Sequence, residues 1–411
     1  MHLNRFRIFV VAFATCLLAL GASVPAAGAN PLDALLAPSH DPASLLPTPL
    51  GDSFYTPPPG FERQAPGTVL AARPIPVNLL VVPAAATELL VRSTDTKGHP
   101  VAVTAVLLVP AAPWVGARPV VAYNFAIDSL GHTCVPSYQM RTGLTAEIVP
   151  AQRFLAKGYA VLSTDHQGPR QAYAAGRMAA HAVLDALRAA VRQPGLDPRA
   201  PLAITGYSGG AIASGWAAEL APTYAPELNL VGAAFGGTPA DYSVLLGSMS
   251  GRNLASSVFL GAALGVAREY PELLTLLNDN GWRLAYLAKD LCLGAMAVPG
   301  AVFPVPVTAM SDHPDVLNTP VVQQVLADTR MGRQAPRAPV FIYHGTQEFW
   351  IPRENSVQLQ RDWCAQGASV QLEEYTGEHL VVAIAGMPAA YSWIDDRLAG
   401  VPAPKGCSHR P

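Results

Sequence analysis

One serine of this chain lies in a sequence context that would make it a nucleophile. Residues 201–211 begin as an apolar strand and lead into a helix-forming segment, and the turn between them has the pattern Gly-x-Ser-x-Gly. The residues of this turn are Gly206, Tyr207, Ser208, Gly209 and Gly210. A tight strand-to-helix turn exposes the serine hydroxyl and places the next backbone N–H at a helix N-terminus, where negative charge is stabilised. We predict that Ser208 is the nucleophile and that Gly209 is an oxyanion donor; the alternative is an incidental serine in a glycine-rich turn.

A serine nucleophile needs a general base, which is most often histidine. Four histidines follow Ser208 in the chain: His313, His344, His379 and His409. His379 lies between a predicted strand and a predicted helix, so we expect it on a strand-end loop from which it can reach the serine. His313 falls among predicted helices, His409 falls in the C-terminal tail, and His344 ends a strand, where packing or hydrogen bonding is expected. We predict His379 as the base, with a surface histidine as the alternative.

The histidine in turn needs a carboxylate that holds its tautomer and stabilises the imidazolium. The loop after the predicted strand at residues 340–344 contains Glu348, whereas Asp362 falls in a predicted helix and Glu378 is expected to be a solvated neighbour of the histidine. We predict Glu348 as the acid. A second oxyanion donor should follow an early strand. Asp128 has this position; its alternative role is a strand-end carboxylate that caps local backbone groups.

The N-terminus has the features of an export signal. Arg5 and Arg7 precede an apolar run, and Ala27-Gly28-Ala29 is typical of a cleavage site, so residues 1–29 are predicted to be removed after Ala29 from a secreted or periplasmic protein. The remaining 25 basic and 29 acidic residues give a net charge near −4, with no charged block that would indicate nucleic-acid binding. No later segment has about 18 uninterrupted apolar residues, so no transmembrane span is predicted.

Four cysteines would remain after this cleavage: Cys134, Cys292, Cys364 and Cys407. An even number in an exported chain favours two disulfides, although four cysteines allow three pairings. The spacings fit neither a zinc ribbon nor a redox Cys-x-x-Cys motif. We therefore expect no metal, and a Ser–His–carboxylate mechanism needs no organic cofactor.

The pattern along the chain indicates its organisation. Residues 30–76 are proline-rich and aperiodic, which predicts an arm over the body of the protein. Strand-like and helix-like runs alternate over residues 77–236, and the strand pattern returns over residues 320–411. Residues 101–109 are almost continuously apolar, which is typical of a strand buried on both faces. We predict an α/β fold with a mainly parallel central sheet flanked by helices.

The alternation stops over residues 237–319. This stretch contains helix-like runs at residues 254–267 and 269–278 and is rich in apolar side chains. An insertion at this point would lie over the carboxyl ends of the strands, where active sites of open α/β sheets occur. We predict a mostly helical cap or lid; the alternative is an enlarged core without contact to the substrate.

With these residues assembled, the chain resembles the secretory lipase family of α/β hydrolases, typified by yeast lipase A enzymes, over nearly all of the predicted mature chain. The similarity is carried by DSFYTPPPGF at residues 52–61, APGTVL at 65–70, Asp128-Ser129 with CVPSY at 134–138, DHQGP at 165–169, AYAAG at 172–176 and GYSGGA at 206–211. The resemblance implies a triad of Ser208, Glu348 and His379, oxyanion donors at Asp128 and Gly209, and a lid-bearing cap at residues 237–319. It also implies the disulfides Cys134–Cys292 and Cys364–Cys407.

The chain departs from the family at Glu348, where the family pattern has aspartate. On this basis Glu348→Asp is expected to keep or raise activity, and Glu348→Ala to lower it by orders of magnitude. The resemblance and the apolar cap imply a secreted carboxylic-ester hydrolase that forms an acyl-enzyme, above all a lipase on triacylglycerols or other lipid esters, with transient contact to a lipid interface. The alternatives are a short-chain or phenolic-ester esterase, a serine peptidase, and a non-catalytic lipid-binding protein. The sequence does not indicate an oligomeric state.

Overall fold

A ten-stranded mixed sheet organises the protein. The computed structural model describes residues 39–78, 80–145 and 147–411, so the predicted signal peptide and the start of the arm lie outside the described residues. The strands are β1 Val69–Pro74, β2 Ala84–Thr94, β3 Pro100–Pro110, β4 Val120–Asn124, β5 Ala160–Thr164, β6 Leu202–Tyr207, β7 Leu230–Gly236, β8 Val340–Gly345, β9 Val370–Tyr375 and β10 Cys407–Arg410. Their order in the sheet is β1-β2-β3-β5-β4-β6-β7-β8-β9-β10. The pairings from β5 through β4 to β10 are parallel, and those from β1 to β5 are antiparallel.

Helices cover both faces of this sheet, which confirms the predicted α/β fold. They are α1 Pro136–Thr142, α2 Ile148–Ala156, α3 Gly176–Ala190, α4 Gly209–Tyr224, α5 Tyr242–Ser248, α6 Ser256–Ala267, α7 Asp279–Ala288, α8 Leu293–Val302, α9 Pro320–Asp328, α10 Glu354–Ala365, α11 His379–Ala385 and α12 Met387–Leu398. Successive side chains of a strand point to opposite faces. Accordingly, Leu107 of β3 packs into the cluster that holds α3 and α4, and Leu108 packs into the cluster that holds α2 and α12. The burial of β3 on both faces follows from its uninterrupted apolar sequence.

The stretch between β7 and β8 is helical. Residues 237–319 contain α5 to α8 together with 3₁₀ helices at Pro271–Leu276, Val307–Met310 and Val316–Asn318, and no strand lies in this fully described stretch. The predicted helix at residues 269–278 is wrong in type, because Pro271 starts only a short 3₁₀ helix and Asn278 already caps α7. None of the helices within the described ranges is long and apolar enough to cross a bilayer.

Two expectations about the ends of the chain are also wrong. The predicted aperiodic arm includes β1, a short edge strand that pairs antiparallel with β2. The predicted C-terminal tail includes β10, which pairs in parallel with β9 and contains His409. Both strands are too short for a detectable alternation, and their pairing depends on neighbours distant in sequence. The disulfide Cys364–Cys407 fixes β10 next to α10, and a second disulfide joins Cys134 to Cys292.

Candidate active site

The nucleophile turn connects β6 to α4. Ser208 has φ 54° and ψ −118°, a conformation that a non-glycine residue adopts only under constraint. Its backbone N–H donates to the Gly236 carbonyl at 3.0 Å, and its own carbonyl accepts from Ile212 N at 3.1 Å. The strained residue is therefore held by β7 on one side and by the first turn of α4 on the other.

Two glycines of the turn are required by close backbone approach. A Cβ at Gly206 would lie 2.4 Å from the Gly210 carbonyl oxygen, and one at Gly210 would lie 2.1 Å from the Asn124 carbonyl oxygen. Asn124 also donates from Nδ2 to Ser214 Oγ at 3.0 Å, and that hydroxyl donates to the Gly210 carbonyl at 2.8 Å. The end of β4 and the first turns of α4 thus clamp the turn that carries the serine.

The structure brings the three predicted triad side chains together. Ser208 Oγ lies 2.9 Å from His379 Nε2, and His379 Nδ1 lies 2.6 Å from Glu348 Oε2. Both the histidine and the glutamate side chains are buried. With a proton on Nδ1, that N–H donates to Glu348 and the free Nε2 accepts from the serine hydroxyl. This is the arrangement in which a serine is activated by a general base.

The carboxylate of Glu348 is held by its own loop. Its second oxygen, Oε1, accepts the backbone N–H of Trp350 at 2.9 Å and of Ile351 at 3.3 Å. Burial alone would raise the pKa of Glu348, but the hydrogen bond and charge of His379, together with these two N–H groups, lower it below its usual value. The acid is therefore poised to stay ionised beside the histidine.

His344 stabilises the same loop. Its Nε2 donates to the Ile351 carbonyl at 2.8 Å, and its Nδ1 accepts from the Ser356 hydroxyl at 2.8 Å. Burial lowers the pKa of His344, which agrees with a neutral ring. A hydrogen-bonding role was expected for this residue; its position, joining β8 and α10 to the acid loop, was not evident from the sequence.

Two aromatic rings flank His379. The ring centroids of Tyr207 and Trp350 lie 5.0 Å and 5.1 Å from the centroid of the imidazole. The Tyr207 hydroxyl also donates to the His379 carbonyl at 2.6 Å. The sequence pattern places Tyr207 only in the nucleophile turn and gives no role to Trp350, although an aromatic residue two positions after the acid is a usable signal.

His379 is the first residue of α11 rather than a loop residue, which corrects the sequence-based expectation. Glu378, expected to be a solvated neighbour, is the N-cap of this helix and accepts from Leu380 N and Val381 N, each at 3.0 Å. An N-cap carboxylate satisfies N–H groups that have no partner within the helix. Glu378 thus fixes the helix start, and Glu348 alone of the two contacts the imidazole.

Asp128 lies directly against the nucleophile turn. It is buried, has φ 42°, and its Oδ1 would lie 1.6 Å from a Cβ placed on Gly209. Burial raises the pKa of the Asp128 carboxyl to about 7, and the negative charge of Glu147 adds to this rise. The structure thus brings together Gly209 and Asp128, the two residues predicted as oxyanion donors, and only glycine fits at position 209.

An apolar cavity of about 140 Å³ lies within the helical stretch between β7 and β8. Its wall includes Tyr242, Leu246, Phe259, Leu264 and Met310. Burial and the charge of Asp128 raise the pKa of Tyr242, which lines this cavity. Within the described ranges, no three His, Cys, Asp or Glu side chains cluster as metal ligands would.

The sheet order, the strained serine between a strand and a helix, and an acid on the loop after β8 define an α/β hydrolase. The chain belongs to the secretory lipase family, whose model matches residues 137–406. It is 34% identical to Lipase 5 of Candida albicans over 89% of this chain and 84% of that protein. It is 33% identical to a Mycobacterium tuberculosis protein called "probable inactive lipase", over 87% and 84% of the two chains.

Its fold is similar to that of Candida antarctica lipase A. The crystal structure of that enzyme matches with a TM-score of 0.84 and 28% identity, covering 89% of this chain and 90% of the other. The fold, the family and these relatives make the protein a lipase-like hydrolase.

Proposed function

We propose that this protein is an exported serine lipase that cleaves triacylglycerols or related lipid esters through an acyl-enzyme on Ser208. The observation that carries the proposal is the continuous hydrogen-bond chain from Ser208 Oγ through the His379 imidazole to the Glu348 carboxylate, at 2.9 Å and 2.6 Å. A serine without a catalytic role is not expected to lie in a strained turn at the end of such a series of hydrogen bonds.

The reaction follows from these atoms. Ser208 Oγ attacks the ester carbonyl carbon while His379 Nε2 takes its proton, and Glu348 stabilises the resulting imidazolium. The carbonyl oxygen becomes an oxyanion, for which the backbone N–H groups of Gly209 and Asp128 are the donors. Collapse of the tetrahedral intermediate breaks the ester C–O bond, and His379 returns its proton to the departing alcohol. Water then attacks the acyl-serine by the same route and releases the fatty acid.

The preference for lipid esters rests on the surroundings of the site. The cavity within the helical stretch between β7 and β8 is almost entirely apolar, as an acyl chain requires. The exposed face of α11, which begins at the histidine, includes Leu380, Val381 and Ile384, and Ile384 is 73% exposed. A helix face in water normally has polar side chains. An apolar face next to the site supports transient contact with a lipid surface.

Export is supported by two disulfides, which persist in oxidising compartments, and by the family to which the chain belongs. The name of the Mycobacterium tuberculosis relative keeps a non-catalytic protein as the rival function. The two functions differ in whether Ser208 reacts.

The first experiment therefore measures hydrolysis of p-nitrophenyl esters from acetate to palmitate, with Ser208→Ala as the control, and labelling by a fluorophosphonate. A lipase is expected to give serine-dependent turnover that persists on long chains, with the label on Ser208. Turnover confined to short chains would indicate an esterase, and cleavage of amides would indicate a peptidase. An unlabelled wild type with the same rate as Ser208→Ala would refute the hydrolase and favour the binding protein.

A second experiment tests the lipid surface. Ile384→Ser is expected to lower the rate on emulsified triolein several-fold, because one of the exposed apolar side chains is lost. The same variant should hydrolyse dissolved p-nitrophenyl acetate at the wild-type rate. Equal losses on both substrates would show damage to the histidine rather than to a docking face.

A further inference from the structure

The oxyanion segment, defined as residues 128–134, is bonded to the cap as well as to the sheet. Leu130 N donates to the Leu291 carbonyl at 2.9 Å, and Leu293 N donates to Ser129 Oγ at 2.9 Å. A Cβ on Gly131 would lie 2.3 Å from the Asp290 carbonyl oxygen, so the two backbones are in direct contact. The position of the oxyanion segment therefore depends on where the cap lies.

Arg268, directly after α6 in the cap, joins this junction to several other parts of the chain. Its Nη1 donates to the carbonyls of Leu130, Arg170 and Gln171 at 2.7 to 3.0 Å. Its Nη2 donates to the carbonyls of Leu45 in the N-terminal arm and Lys289 in the cap, each at 2.9 Å. A single guanidinium thus binds five backbone carbonyls from the arm, the oxyanion segment, the loop before α3, and the cap.

Only arginine has the donors for this arrangement. The two terminal nitrogens of a guanidinium present four N–H groups in a rigid plane, and here the five carbonyls share them, whereas a lysine has three donors on a single flexible nitrogen. Burial lowers the pKa of Arg268 to about 10, so the group keeps its charge at neutral pH. All five of these hydrogen bonds end on backbone carbonyls, whose positions the side chain fixes.

The backbone that Arg268 contacts is strained. Gln171, whose carbonyl it binds, has φ 49°, and Asp128, two residues before Leu130, has φ 42°. Conformations of this kind persist only where the surroundings over-determine them. The guanidinium binds the carbonyl of Gln171 and that of Leu130, two residues after Asp128, and therefore opposes relaxation of both strained residues.

We propose that Arg268 is a positioning residue for the reaction: its guanidinium fixes the oxyanion segment against the cap and the arm, so that the Asp128 backbone meets the developing oxyanion. This role rests on the proposed function, because it assigns the oxyanion donor to that segment. It makes the cap part of the catalytic geometry as well as a cover over the substrate.

The test compares Arg268→Met with Arg118→Met. Arg118 is a matched control, because its guanidinium also donates to backbone carbonyls, those of Pro110, Ala112 and Gly158, at the opposite ends of the strands. Each variant is titrated with a fluorophosphonate to count reactive serines. The kcat per titrated Ser208 and the KM for p-nitrophenyl butyrate are then measured below the melting temperature.

A positioning role predicts that kcat per titrated serine falls about 10- to 100-fold in Arg268→Met, while KM stays within about twofold. Arg268→Lys should recover part of the loss, and it replaces Arg268→Met in the comparison if the methionine variant does not fold. Arg118→Met should melt at a lower temperature without losing kcat per serine.

Unchanged kcat per titrated serine in the Arg268 variants, with a melting temperature lowered as in Arg118→Met, would overturn the positioning role and leave a purely structural one. Failure of the wild type to label at Ser208 would instead overturn the proposed function. The two failures are therefore distinguishable.

Discussion

Shortening the acid by one methylene is the most informative perturbation of this site. The Glu348 carboxylate is fixed at both oxygens, by His379 Nδ1 at 2.6 Å and by the N–H groups of Trp350 and Ile351. An aspartate at this position would withdraw its carboxylate by about 1.5 Å, the length of one C–C bond. If the loop keeps its observed conformation, the aspartate carboxylate can accept from the two backbone N–H groups or from His379, but not from both.

The size of the effect follows from the bond that is lost. A withdrawal of about 1.5 Å stretches the contact with His379 to roughly 4 Å, beyond hydrogen-bond range. A hydrogen bond to a charged partner contributes about 1.5 to 3 kcal/mol. Since 1.36 kcal/mol corresponds to tenfold in rate, Glu348→Asp should lower kcat about 10- to 100-fold. Glu348→Ala, which removes the carboxylate, should cost on the order of 10,000-fold.

This expectation reverses the one drawn from the sequence, where the family's aspartate suggested that Glu348→Asp would keep or raise activity. The assay is kcat on p-nitrophenyl butyrate, and the control is Glu378→Asp. That variant removes the same methylene from the neighbouring residue, where aspartate is an equally good N-cap, so kcat should stay within about twofold. Wild-type kcat in Glu348→Asp would show that the loop moves with the shorter side chain and that the loop is not rigid.

Two further predictions concern pH and the disulfides. Burial raises the pKa of Asp128 from 3.8 to about 7 in the folded protein. The protonated carboxyl therefore contributes fully to the stability of the folded state below pH 3.8. This contribution, at most about 4 kcal/mol, is lost as the pH rises through about 7. Its ionisation beside the oxyanion should also lower kcat above pH 7. Asp128→Asn should flatten both dependences, as followed by urea unfolding and by kcat between pH 4 and 9, and unchanged profiles would contradict this. Both disulfides close long loops, of 158 and 43 residues, so replacing either pair by serine should cost up to about 4 to 5 kcal/mol of stability. Only the pair Cys134 and Cys292 should also lower kcat per titrated serine, and an equal loss in the variant lacking Cys364 and Cys407 would refute the link between cap and oxyanion segment.

The sequence predicts the residues of the site better than it predicts what holds them. Ser208 is found because its turn has a local pattern, and the order of the elements then leaves few candidates for the base and the acid. His344 and Trp350 have no such pattern, because their roles depend on where a loop backbone and a ring lie after folding. The role of Arg268 is the hardest to predict, because its five partners are backbone carbonyls, which every residue has.

The strands also differ in how well the sequence predicts them. Strands β3, β4 and β5 are predictable because each is a mainly apolar run that is buried on both faces. The edge strands β1 and β10 are not, because each has few residues and gains its hydrogen bonds from a partner elsewhere in the chain. The start of α11 at His379 depends on a capping carboxylate, and a loop histidine and a first-turn histidine look alike in sequence until that cap is seen.

The two strained residues at the centre of the site are held from different directions, and this has a consequence for regulation. Ser208 is constrained by β7 and by the clamp between Asn124 and α4, all parts of the sheet core. Asp128, which faces it across Gly209, lies in a segment that is held at Ser129 by Gln167 and at Ser129 and Leu130 by the cap, including Arg268. A shift of the cap would therefore change the oxyanion geometry while it left the hydrogen bonds among Ser208, His379 and Glu348 intact. In such a protein the serine would still react with a strongly activated phosphonate, yet it would turn over esters slowly. Substitutions in the cap of this protein are therefore expected to change turnover without any change in the triad.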